Sequence, residues 1–295
     1  VRHALVDPVT TWFDAHARDL PWRAPDRTPW GVLVSEVMLQ QTPVVRVEPL
    51  WRAWMLRWPG PADLAAASTA DVLRAWDRLG YPRRALRLQE CARQVVDRHD
   101  GVLPTDPAEL VALPGIGTYT AAAVTAFAHG RRAVVVDTNV RRVLARALDG
   151  VALPAPHLSS AEMARAAAVV PDDDVSASRW NAAVMELGAL VCTARSPRCD
   201  ACPVADLCAW RAAGMPADAH ADRRRVQGWA GTDRQARGRL MARLRAASTW
   251  VPAGELEDAW PEEAQRLRAL DSLVTDGLAV RQDTHDGEPA YRLPA

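Results

Sequence analysis

The chain has 295 residues, 49% of them hydrophobic and 24% charged, enough apolar mass for one large or two medium folded domains and too much for a disordered chain. Acidic and basic residues number 36 each, so no global field draws in a polyanion, and every basic residue is arginine; with no lysine present, covalent catalysis through a side-chain amine is excluded. No apolar stretch reaches the roughly 18 residues of a membrane span, and no basic-then-apolar leader opens the sequence, so the expectation is a cytoplasmic protein without a membrane partner.

Apolar residues at three- and four-residue spacing predict helices over 33–41, 44–57, 70–79, 83–98, 119–128, 139–148, 159–169 and 177–191, joined by short Pro/Gly turns. The one β-branched run, Val134-Val135-Val136, is too short to anchor a sheet, so residues 1–212 read as all-α. In the first of these helices Glu36 is the only charge between Arg27 and Arg46, flanked by Val32-Leu33-Val34-Ser35 and Val37-Met38-Leu39. A carboxyl in such surroundings tends toward a raised pKa and can stay a proton donor near neutrality. Gln40 lies one turn on, and Gln41 follows.

Leu113-Pro114-Gly115-Ile116-Gly117-Thr118-Tyr119-Thr120 separates an apolar helical stretch from an Ala-rich helix. Its two glycines allow a sharp turn that exposes successive N–H groups at a helix start, suited to one phosphate oxygen. With a helix on each side this is a helix–hairpin–helix, a grip on a DNA backbone that reads no sequence. Asp137, after the valine run, opens the next helix; the residue alone reads as an N-cap, biased toward the ionised form. One acid biased to the protonated state and one to the ionised state is the division of labour that glycosidic cleavage uses.

Four of the five cysteines, Cys192, Cys199, Cys202 and Cys208, fall within 17 residues with spacing C-x6-C-x2-C-x5-C. One knuckle without histidines fits a [4Fe–4S] cluster better than a structural zinc site, and Cys91, in a helix, reads as a small apolar core residue. Residues 211–231 lack an apolar period and carry Arg223-Arg224-Arg225, the pattern of a linker. Beyond it, helices over 232–247, 253–260 and 262–278 and extended pieces 279–282 and 290–293 around Asp286-Gly287 give the order of a winged-helix module. This part is net acidic, and a packing or protein-contact role stands level with DNA binding.

Together these residues resemble the helix–hairpin–helix base-excision glycosylases, specifically the adenine DNA glycosylase (MutY) family. The motifs are Leu20-Pro21-Trp22-Arg23, Ser35 to Thr42, Gly80-Tyr81, the hairpin, Val136 to Val140, Met185-Glu186-Leu187-Gly188 and the four-Cys loop. The resemblance implies two helical lobes with DNA in the cleft between them: a six-helix barrel at about 27–135 and a second lobe from 1–26 and 136–212. A linker at 213–231 and a winged-helix-like α+β domain at 232–295 follow.

It further implies that Glu36 protonates adenine, Asp137 stabilises the oxocarbenium-like sugar and Tyr119 supports that charge development. Trp22, Gln40 and Glu186 would hold the base. Gln41 and Tyr81 would enter the duplex, and Gly115, Gly117, Arg195 and Arg198 would hold phosphates. The four loop cysteines would carry a [4Fe–4S] cluster that is structural or senses DNA contact. The partner would be double-stranded DNA with adenine mispaired with 8-oxoguanine or guanine, met by a monomer at the bacterial nucleoid.

Related endonuclease III-type enzymes use a hairpin lysine for strand cleavage; here that place is Tyr119, so a monofunctional glycosylase is expected. Two features depart from the family. Pro82 replaces a usual second aromatic, and the Nudix-like C-terminal domain that reads 8-oxoguanine gives way to the 68-residue acidic module, which would read the lesion or bind a repair protein. The competing readings are a thymine/uracil mismatch glycosylase and a non-catalytic iron–sulfur protein that binds DNA damage.

Overall fold

A computed structural model describes residues 3–221, 228–285 and 287–295. The triplet Arg223-Arg224-Arg225, most of the expected linker and Asp286 of the expected turn lie outside the described residues. In chain order the helices are α1 (Val6–His16), α2 (Pro29–Leu39), α3 (Val44–Arg57), α4 (Pro61–Ala66), α5 (Thr69–Trp76), α6 (Arg83–His99) and α7 (Pro107–Ala112). They continue as α8 (Thr118–Phe127), α9 (Thr138–Ala147), α10 (Ser160–Val169), α11 (Asp174–Leu190), α12 (Ala209–Ala212), α13 (Asp233–Ala246) and α14 (Glu263–Thr275). The strands β1 (Val251–Pro252), β2 (Val280–Asp283) and β3 (Pro289–Arg292) form one antiparallel sheet in the order β1-β3-β2. No helix of the described residues is long and apolar enough to cross a membrane.

Local chemistry sets the boundaries. Ser68, Asp137, Ser159, Asp173 and Thr232 each accept a backbone N–H three residues on and so cap α5, α9, α10, α11 and α13. At α10 the cap is reciprocal, because Glu162 reaches back to the Ser159 N–H.

The fold divides into two compact units. The first comprises, among the described residues, 3–33, 105–112 and 116–221. Its core joins Leu5, Val6 and Val9 of α1 to Val140, Val143 and Leu144 of α9 and to Trp180, Val184 and Leu187 of α11. Each such side chain contributes about 1.5–3 kcal/mol on burial. A smaller cluster packs Ala123 and Ala126 of α8 on Val135, with Tyr119 and Met185 against it.

The second unit comprises, among the described residues, 34–104, 113–115, 228–285 and 287–295. Trp54 meets Trp58 and Trp76 edge to face at centroid distances of 4.7 and 5.7 Å, the geometry aromatic quadrupoles favour. Buried Gln89 of α6 donates to the Ala67 carbonyl at 2.8 Å. The C-terminal helices bury Leu240, Leu244, Leu270 and Leu273 and the sheet buries Tyr291.

Two expectations need correction. Of the barrel expected at 27–135, residues 27–33, 105–112 and 116–135 fall in the unit that holds the cysteine loop, where α8 packs on Val135 and Met185. The C-terminal module is not a separate body: Arg74 of α5 donates to the carbonyls of Arg245 and Ala247, and Arg83 of α6 pairs with Asp276 at 3.2 Å. Within that module the helix expected over 253–260 is a 3-10 turn, Ala253–Leu256, preceded by β1; Pro252 leads out of the strand and Gly254 weakens any longer helix.

Candidate functional site

In the second unit the catalytic candidate is Glu36. Every residue from Trp30 to Met38 of α2 is buried, so the helix is enclosed on all sides, and Glu36 is only 7% exposed among mostly apolar neighbours. The end of α2 and the turn before α6 are tied together by Arg84. Its guanidinium donates to the carbonyls of Val37 (2.8 Å), Gln40 (2.6 Å), Leu79 (3.1 Å) and Gly80 (3.1 Å). Burial draws its pKa down to about 10, the Tyr81 phenol opposing, which still leaves it charged at neutral pH.

Both turns that Arg84 holds are strained. Gln41 has φ +57° and Tyr81 φ +47°, left-handed values that a side chain rarely adopts. Both residues are exposed while half-buried Gln40 gives its carbonyl to Arg84. Gly115 in the hairpin has φ +79°, and a Cβ there would sit 2.9 Å from the Arg87 Cβ, so both backbone and space demand glycine.

In the first unit Asp137 caps α9: one oxygen accepts from Val140 N at 2.7 Å and the other from Asn139 Nδ2 at 2.8 Å. Asn139 Oδ1 accepts from Arg142 at 2.7 Å, and Arg142 also donates to the carbonyls of Gly188 (2.7 Å) and Cys192 (2.6 Å). The N-cap expectation therefore holds, but the bias toward ionisation does not. Burial outweighs the hydrogen bonds and the Arg142 charge, and the Asp137 pKa is raised.

Glu186, expected to help hold a base, is fully buried with its carboxylate in the hands of two arginines. Arg18 donates through its backbone N–H (3.0 Å), Nε (2.8 Å) and Nη2 (2.7 Å), and Arg23 through Nη2 (3.0 Å). Burial raises the carboxyl pKa, and the arginines more than reverse it, to about 2. Glu186 thereby fastens the segment carrying Trp22, itself 6% exposed. Tyr119 is half-buried against Ala123, Ala126 and Val135. Gly117, exposed and extended, is the N-cap of α8; a Cβ there would meet nothing, so only Gly115 is sterically required.

Cys192, Cys199, Cys202 and Cys208, all free thiols, line one cavity with Arg146 and Trp210. Arg146 Nη1 donates to Cys192 Sγ at 3.3 Å and to the Thr193 carbonyl at 2.8 Å, and its guanidinium lies 4.5 Å from the Trp210 ring centroid. Among the described residues no three His, Cys, Asp or Glu side chains gather as a single ion requires. Four cysteine sulfurs lining one cavity are the donor set of an iron–sulfur cluster. Arg198 is exposed but donates to the Leu190 carbonyl at 2.6 Å; Arg195 is exposed.

The structure thus gathers Asp137 with Asn139 and Arg142, Glu186 with the Trp22 segment, and Gln40, Gln41 and Tyr81 around Arg84. Glu36 and Asp137 belong to different units. Sequence reading missed Arg84, Asn139, Arg142 and Arg146; in Asn139 the signal was an amide two residues past a cap.

Residues 34–167 match the family model described as HhH-GPD superfamily base excision DNA repair protein, and residues 192–208 match the iron-sulfur binding domain of endonuclease III. The chain is 54% identical to an adenine DNA glycosylase of Mycolicibacterium smegmatis over 94% of its own length and 92% of the relative's. It is 52% identical to one from Mycobacterium tuberculosis, over 99% and 94%. Among solved structures, a thermostable thymine-DNA glycosylase matches with TM-score 0.63 and 28% identity, covering 70% of this chain and 95% of that one.

Proposed function

The chain belongs to the adenine DNA glycosylase family, and from that premise we propose that it excises adenine mispaired with 8-oxoguanine or guanine, working as a monomer on double-stranded DNA. It is a base-excision glycosylase that hydrolyses N-glycosyl bonds, and its four-cysteine loop is of the iron–sulfur-binding kind. Cys192, Cys199, Cys202 and Cys208 would hold a [4Fe–4S] cluster through their thiolates, and the cluster when bound would cross-link the loop and supply a one-electron couple.

In this reading Glu36 delivers a proton to adenine at N7, so that the bond between N9 and C1′ breaks with the electron pair leaving on a neutral base. Asp137 faces the cation that forms on the sugar until water bonds to C1′ and gives up a proton to Glu36, ionised since it protonated the base. An anion that is costly to keep buried has the more to gain from a cation developing beside it. Tyr119 supports that charge, Trp22, Gln40 and the Glu186–arginine cluster hold the base, and Gln41 and Tyr81 take its place in the duplex. Extrusion costs a few kcal/mol, least where pairing is already faulty. Gly115, Gly117, Arg195 and Arg198 hold phosphates. With no lysine to form a Schiff base, the product is an abasic site in an intact strand.

The observation that carries the reading is Glu36, a carboxyl enclosed in a helix buried on every side. Excision across A:8-oxoG, A:G and G:T duplexes tests it. Glu36→Gln should slow adenine release about 10²–10⁴-fold, the usual worth of a general acid, with binding spared. Full activity in that variant, or preferential release of thymine, overturns it.

A further inference from the structure

Tyr81 is held from two sides. Arg84 places its guanidinium 5.7 Å from the ring centroid, and Arg234, from the second residue of α13 in the C-terminal module, stands closer at 4.7 Å. Arg234 also lies 5.4 Å from the ring of Trp229, which is 53% exposed and whose carbonyl accepts from the Thr232 hydroxyl at the α13 cap. The module does not touch this turn by chance orientation of one side chain: α13 is fixed along α5 by Arg74, and Arg237 and Arg83 converge on Asp276. A left-handed residue such as Tyr81, φ +47°, persists only where its surroundings hold it, and Arg84 does this for the backbone while leaving the exposed ring to be held from elsewhere.

We infer that Arg234 is a positioning residue for Tyr81, through which the C-terminal module takes part in opening the duplex; this rests on the proposed role of Tyr81. Arg84 sets the backbone of the turn, and Arg234 sets the ring. Trp229, on the same guanidinium, extends the exposed stacking surface, and stacking on aromatic rings accepts any nucleobase. The acidic module thus contributes an arginine–aromatic patch where its net charge gives no hint of one.

The test is a double-mutant cycle in the full-length chain: Arg234→Ala, Tyr81→Ala and both together, with Arg234→Lys as the conservative variant. Opening is read from the fluorescence of 2-aminopurine placed beside the target adenine, and chemistry from single-turnover release. Arg234→Ala should lower both about three- to fivefold, the strength of an exposed cation–π contact, with thermal melting unmoved and affinity for intact duplex within twofold. Arg234→Lys should recover at least half of the loss, and in the Tyr81→Ala background the further loss should be under twofold. Multiplying effects, no loss in Arg234→Ala, or faster opening overturns the inference. If the wild-type chain releases no adenine, the functional reading fails, while the fluorescence cycle still decides whether Arg234 acts through Tyr81.

Discussion

Replacing Glu186 with glutamine removes one charge from a site where four N–H groups converge. The carboxyl ordinarily titrates near 4.5 and is held at about 2 by Arg18 and Arg23, a difference worth about 3 kcal/mol of folding stability. The glutamate side chain is fully buried, but the arginines are 32% and 25% exposed, and solvent screening brings the figure to about 2 kcal/mol. Glutamine keeps one acceptor for Arg18 and turns its amide donor on a guanidinium. Because the folded pKa lies below the unfolded one, the ion pair's contribution is complete above about pH 4.5 and disappears as pH falls through about 2. Urea unfolding at fixed ionic strength should therefore show Glu186→Gln about 2 kcal/mol less stable at pH 7 and level with wild type near pH 2. Equal stability at pH 7, or a deficit that persists undiminished in acid, would refute the assignment.

Gly188→Ala would place a Cβ 2.7 Å from the Asn139 Cβ and 2.9 Å from its carbonyl oxygen. Overpacking of that size costs about 1–3 kcal/mol, and since Asn139 orients Asp137, thermal melting and adenine release should both fall. Asp137→Asn keeps a good N-cap residue, so stability should change by less than about 1 kcal/mol while single-turnover release drops about 10²–10³-fold; parallel losses would make Asp137 a cap alone. Burial pushes the Cys91 thiol up to about 12, so alkylation of chelator-treated native protein should mark the four loop cysteines and reach Cys91 only after denaturation.

What was legible in the sequence is what short-range chemistry decides. The hairpin glycine, the N-cap Asp137, the cysteine spacing and the apolar sleeve of Glu36 each depend on neighbours within a few residues, and each stands in the structure where those neighbours put it. Helix α1 escaped because Leu5, Val6 and Val9 are too few to reveal a period, and its helix is secured by packing on α11. The unit boundaries escaped because they rest on bonds such as Arg74 to Ala247, between residues far apart in the chain. The raised pKa of Asp137 escaped for the same reason: capping is local, whereas burial belongs to the tertiary structure.

The arginines show why composition misleads in this chain. A balanced charge suggests a neutral, solvated surface, yet several guanidiniums face inward and hold backbone carbonyls: Arg84 at the two strained turns, Arg142 at Gly188 and Cys192, Arg146 at Ala152 and Thr193, and Arg266 at Trp260. A planar fork can tie segments in fixed geometry, which a lysine ammonium on a flexible stem cannot. The energetics at Arg84 favour the arrangement. Left-handed backbone at Gln41 and Tyr81 costs of order 1–3 kcal/mol each, and charge-assisted bonds to four carbonyls within 3.1 Å, at about 1.5–3 kcal/mol each, exceed that strain. The strained turns therefore stand in the resting protein, preorganised, and the binding energy of DNA need not be spent on forming them.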